Sequence, residues 1–152
     1  MKFLMSLMFT VFALFSCSTV FAQAGGKAFT QEYTYDFAVH GGAVGQINLV
    51  GPANALPVGA IVTSVHYNVM TAFTSGGSAT VAIGDVASGA RYLAATAYNN
   101  AAYTANTPAA AAIGVPLYVG SANAGKVAIT IATAALTAGK MKIIVSGYVP
   151  RQ

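Results

Sequence analysis

Side chains able to carry acid–base or nucleophilic chemistry are scarce in this chain, which holds two histidines, three carboxylates and one cysteine. His66 stands two residues from Ser64 in "AIVTSVHYNVMTAF", and in an extended strand residues two apart share a face. A hydroxyl beside an imidazole suits nucleophilic catalysis, but the ring also needs an acid to orient it, and none is near in sequence. His40 follows Asp36 by four residues in "DFAVH". On a continuous strand that spacing is ~13 Å, too far to share one ion, so a metal centre would need a further ligand such as Asp85 from elsewhere. "GDVASG" lacks the spaced oxygen ligands of a calcium loop, and the glycine pairs lead into strand patterns instead of the helix a phosphate-binding loop requires. No catalytic, cofactor-binding or metal-binding residue is expected, and the chain reads as a non-enzyme.

Contact chemistry has better candidates. Tyr33 and Tyr35 fall on a patterned apolar face and are expected in the core, whereas Tyr98 and Tyr103 lie in the polar "AYNNAAYTAN" and are expected at the surface. Lys126, Lys140 and Lys142 fall on two consecutive strand patterns, "KVAITIA" and "KMKIIVSGYV", and could form a small basic ridge or simply guard strand surfaces against stray pairing. The cations are otherwise scattered, unlike the dense stripe of a nucleic-acid binder, so no nucleic-acid partner is expected.

The elements that must position these groups are strands. "QEYTYDFAV" alternates, with Tyr33, Tyr35, Phe37 and Val39 on one face, and "QINLV" resumes after "HGGAVG". The longest pattern, "AIVTSVHYNVMTAF", places Ile61, Thr63, Val65, Tyr67 and Val69 together, with Val62, Ser64, His66, Asn68 and Met70 opposite. "TSGG" reads as a hairpin connection, Gly76 and Gly77 being able to take positive φ, and "SATVAIG" as the returning strand. "RYLAATAY" is a weaker strand pattern, and Pro108 and the asparagines argue for a loop with a short strand across "NNAAYTANTPAAAA". "IGVPLYVG", "KVAITIA" and "KMKIIVSGYV" complete about seven or eight short strands joined by Gly/Pro/Asn turns. The expected fold is an all-β, antiparallel sandwich of jelly-roll type.

At the front, "MKFLMSLMFTVFALFSCSTVFA" has Lys2, an apolar run and then Val20-Phe21-Ala22, the order of a secretory signal peptide with an apolar core too short to span a bilayer. Residues 1–22 are expected to be removed, 23–30 to form a flexible leader, and 31–152 to form one sandwich domain, leaving no transmembrane helix after processing. Leu14-Phe15-Ser16-Cys17 offers an alternative, a lipobox that would lipidate Cys17, although Phe15 is bulky for that pattern. Cleavage after Ala22 would leave a chain without cysteine, held by its core alone, in the periplasm, at the cell surface or outside. Charged residues make up only 7% of the chain, against about a quarter in ordinary domains. So weakly charged a sandwich has little protection against edge pairing, which points to burial between copies in a homo-oligomer, a trimer or a larger array.

"LPVGAIVTSVHYNVMTAFTSGGSATVAIGD", Leu56 to Asp85, resembles a segment common in small phage virion proteins, and "LTAGKMKIIVSGY", Leu136 to Tyr148, is similar to their closing strand. The resemblance runs from Tyr35 to Val149, with its specific wording in these two stretches. It implies a β-sandwich used as a decoration, fibre or tail-associated unit, often oligomeric, with no catalytic residues. The signal peptide departs from that family, so the expectation is an exported bacterial version with a structural or adhesive role. The alternative is a secreted module that binds glycans or an envelope component through the loop tyrosines and lysines.

Overall fold

A computed structural model describes residues 26–49, 55–104, 108–110, 117–120 and 126–151. The expected signal peptide, Cys17 and the first part of the expected leader lie outside these residues. Nine strands are present among them: β1 (Lys27–Asp36), β2 (Gly45–Asn48), β3 (Ile61–Ser75), β4 (Thr80–Asp85), β5 (Leu93–Ala97), β6 (Pro108–Ala110), β7 (Leu117–Tyr118), β8 (Val127–Ala132) and β9 (Leu136–Val149). Two single helical turns, α1 (Phe37–His40) and α2 (Ala101–Thr104), accompany them.

The strands form two antiparallel sheets, one in the order β1-β9-β3-β6 with β7 also paired to β3, the other in the order β2-β8-β4-β5. β3 and β4 therefore lie in different sheets, and "TSGG" is an arch between them where a hairpin was expected. β8 and β9 are likewise split across the sheets. Ser75 pairs with Leu136 on one side of the arches and Thr80 with Ala132 on the other, so a two-stranded ribbon has folded over on itself. Gly76 and Gly77 do not take positive φ. Gly77 is needed for closeness: a Cβ there would lie 2.9 Å from the Ala134 Cβ in the neighbouring arch.

Four connections between the sheets, with described residues 37–44, 76–79, 98–104 and 133–135, gather at one end of the sandwich. Backbone bonds stitch them together, Leu136 N to Gly42 O at 2.8 Å and Tyr98 N to Ala79 O at 3.1 Å. The opposite end, called here the open end, holds the start of β1, β3 and β8 and the finish of β4 and β9. This is the sandwich and jelly-roll arrangement that the alternation implied.

Alternation fills the core as expected from Tyr33, Tyr35, Val65, Tyr67, Val69, Val81, Ile83, Val127, Ile129, Ile131, Met141, Ile143 and Val145, all buried. Each buried aliphatic side chain stabilises the fold by about 1.5–3 kcal/mol. Three local expectations fail for identifiable reasons. β1 starts at Lys27, paired with Val149, so the expected leader's last residues are strand. It ends at Asp36, because the Asp36 Oδ1 accepts the Ala38 N–H at 3.0 Å and starts a helical turn, which leaves Val39 76% exposed. In β3 a register shift between Val62 and Ser64 reverses the phase, so Val62 enters the core and Thr63 faces solvent.

Candidate interaction surfaces

The groups singled out for chemistry are not assembled into a reactive site. His66 is exposed on the outer face of β3, in register with Ile144 of β9 and, two strands away, with Glu32 of β1. Glu32 is itself engaged with Lys142 at 2.9 Å. His40 sits on α1, not on a strand, and its Nδ1 lies 3.2 Å from Asp36 N and 3.1 Å from Asp36 O, bonding to one or the other according to tautomer. Its ring stacks on Tyr35 at 5.8 Å, and the Tyr35 hydroxyl donates to Gly41 O at 2.7 Å. These contacts close the first arch. Among the described residues no group of three or more His, Cys, Asp or Glu could hold a metal ion.

Asp85 is the one buried charged side chain among the described residues. Its Oδ1 accepts Ala87 N at 3.0 Å and Ser88 N at 2.7 Å, and its Oδ2 lies 2.7 Å from the Arg91 Nε. The carboxylate thereby folds the β4–β5 connection back over β4, where Gly84 and Ala82 are covered. Its work is to hold a loop.

The proposed contact residues separate. Tyr103 is fully buried, against the expectation of exposure: α2 inserts its ring between the sheets, where the hydroxyl donates to Val81 O at 2.9 Å. The ring meets Phe73 edge-on at 5.4 Å and Tyr67 at 6.2 Å, and Phe73 in turn stacks on Tyr35 at 5.8 Å. Burial pushes the Tyr103 hydroxyl pKa well above the usual phenol range. Tyr98 is only half-buried and packs partly on the core, so the two do not form an exposed pair.

The lysines do not form a ridge. Lys126 precedes β8 in one sheet, while Lys140 and Lys142 lie on β9 in the other. Lys140 pairs with Asp36 at 2.9 Å and Lys142 with Glu32 at 2.9 Å, both across the β1–β9 ladder. The Lys140 hydrogen bond, with that from Ala38 N, lowers the Asp36 pKa.

A surface not anticipated lies on the outer face near the open end. The register aligns Tyr118 of β7, Ile61 of β3, Tyr148 of β9 and Ala28 of β1 in one row across four strands. Tyr118 is 63% exposed and Tyr148 37%. The signal was available for Tyr148, which shares the outward parity of Lys140 and Lys142. It was hidden for Tyr118, whose strand has only two residues. Val58, also at this end, is exposed.

No protein-family model matches the chain, and no curated protein matches it. Among solved structures it is similar to a chain of the cyanophage Pam1 capsid asymmetric unit, with 26% identity, a TM-score of 0.61, and coverage of 83% of this chain and 87% of that one. It also matches a chain in the acid-stable capsid of Helicobacter pylori bacteriophage KHP30 at 17% identity and TM-score 0.58, covering 84% and 91%. A third match is to the capsid of Ralstonia phage GP4, at 16% identity and TM-score 0.52, covering 84% and 87%. The sandwich is thus similar, over most of its length, to chains found in phage capsids.

Proposed function

We propose that this protein is a non-enzymatic structural subunit of phage-capsid type that associates with copies of itself, as a trimer or a larger array. The observation that carries this reading is the likeness to the Pam1 capsid chain, which spans 83% of this chain and 87% of that one, so the two are of similar size. The charge content supports it: at 7% charged, the outer faces have few groups that would oppose contact between copies. Sheet edges at β1, β2 and β5 leave further backbone groups for pairing. An exported location, with residues 1–22 removed, belongs to the same proposal and rests on the signal-peptide order of that segment. A glycan-binding role is disfavoured by the burial of Tyr103, one of its two tyrosines.

Sedimentation velocity on the purified protein tests the assembly, with electron microscopy of the same sample. A trimer or larger species at micromolar concentration is expected, and a single monomeric boundary at every concentration overturns the reading. Mass spectrometry of the exported chain should find Gln23 first; an acylated Cys17 would replace cleavage after Ala22 with lipid anchoring.

A further inference from the structure

Charge is distributed unevenly along the long axis of the sandwich. All three side-chain carboxylates of the sequence are engaged within the chain, Asp85 with Arg91, Asp36 with Lys140 and Glu32 with Lys142. No side-chain carboxylate remains for Lys27, Lys126 and Arg151, and all three are exposed. Lys27 opens β1 opposite Val149, Arg151 follows the end of β9, and Lys126 immediately precedes β8. Each of these positions is at the open end. β9 and β8 occupy the same column of the two facing sheets, so Lys126 and Arg151 sit on opposite lips of a sandwich about 10 Å thick. Lys27 and Arg151 also flank one open cleft of about 760 Å³ whose floor includes Phe29, Pro57 and Val149.

The row of exposed Tyr118 and Tyr148, with half-buried Ile61 between them, lies at this same end. The tyrosine row lies on the outer face of one sheet, Lys27 and Arg151 border the cleft at its end, and Lys126 lies on the lip of the other sheet, so this end of the molecule combines apolar groups with three cations that no side-chain carboxylate meets. We infer that the open end docks a different protein chain, one that presents carboxylates around an apolar or aromatic contact. A second copy of this chain is a poor occupant: it brings three like charges and has no unengaged side-chain carboxylate to meet them. Nucleic acid fits poorly too, since three cations interspersed with apolar groups do not track a phosphate backbone. The inference stands apart from self-association, which would use other faces and edges.

Binding to immobilised polyglutamate and to a mixed glutamate–tyrosine copolymer, at low and at high salt, tests it. The copolymer should bind more tightly than polyglutamate. Combining Lys27→Gln, Lys126→Gln and Arg151→Gln should weaken both by about tenfold at low salt. Tyr118→Ser with Tyr148→Ser should remove the copolymer's advantage while leaving polyglutamate binding unchanged. These are surface positions, and circular dichroism confirms folding of each variant. Binding by the triple variant within about twofold of the parent overturns the proposal. So does equal or tighter retention on duplex DNA or on phosphatidylserine vesicles, which would mark a general polyanion surface. Loss of oligomers in the triple variant by sedimentation would instead assign this end to self-contact and also overturn it. A monomeric parent that still binds the copolymer would separate failure of the assembly reading from this one.

Discussion

Tyr103 fills the space between the sheets at the arched end, with its hydroxyl satisfied by Val81 O and its ring against Phe73 and Tyr67. Truncation there leaves a cavity that two sheets held apart by neighbouring side chains cannot close. Tyr103→Ala should therefore cost about 3–5 kcal/mol in urea unfolding, and Tyr103→Phe only about 1 kcal/mol for the lost hydrogen bond. Tyr98→Ala, at a half-buried site, should fall well below the Tyr103→Ala value. Equal losses at the two positions would contradict the placement of Tyr103 as the plug. The polar setting of "AYNNAAYTAN" concealed this role, because a plug needs only one apolar residue on a short turn. Asn100 builds that turn, its Oδ1 accepting Ala102 N at 3.0 Å and its carbonyl accepting Tyr103 N at 2.8 Å. Asparagine reads in the sequence as a loop residue, and nothing local distinguishes a loop that caps a core from one that lies in solvent.

Strand phase was legible wherever pairing runs without interruption. In β8 and in β9 from Lys140 to Val145, each expected inward residue is buried, and the intervening lysines reach β1 carboxylates on the outer face. β3 is different: its register shifts between Val62 and Ser64, and again between Val69 and Thr74. Each shift restarts the alternation, so a period of two read from Ile61 onward assigns its first residues to the wrong face. The partner strand adapts through Gly139, where φ is 144° and a Cβ would collide with the Phe73 ring. Strand connectivity was similarly hidden, since a Gly-Gly turn between two strand patterns looks the same whether it closes a hairpin or crosses between sheets. Gly139→Ala combines an unfavourable backbone with overpacking and should destabilise by about 2–3 kcal/mol, lowering Tm by roughly 5–10 °C. Gly139→Ala paired with Phe73→Leu should recover part of that loss if the ring is the obstacle. A double variant no better than the sum of its parts would place the strain in the backbone alone.

Across the whole molecule, few charges mean few groups whose titration can loosen the fold, and their placement sets its pH limits. Asp36 has its pKa lowered, chiefly by the Lys140 hydrogen bond and then by Ala38 N. A carboxylate with a lowered folded-state pKa contributes stability that is present above its ordinary value of 3.8 and lost as pH falls through the folded value. At the other limit, burial raises the pKa of Tyr33, Tyr35, Tyr67, Tyr92 and Tyr103, with Tyr35 and Tyr92 pushed up to about 12. For these phenols the sign reverses: their stabilisation is intact below 10.0 and declines as pH rises from there through the folded values. Thermal melts should accordingly hold a broad plateau between about pH 5 and pH 9 and fall at both ends. The alkaline fall should be steeper, because five buried phenols with raised pKa share it, whereas the lowered Asp36 pKa belongs to a half-buried ion pair at the surface. Lys140→Met removes the largest cause of the Asp36 shift and should bring the acid decline closer to the ordinary carboxylate range, without moving the alkaline limb. A narrow optimum near neutrality, or an alkaline limb that shifts with Lys140→Met, would mean that groups other than these control the fold's response to pH.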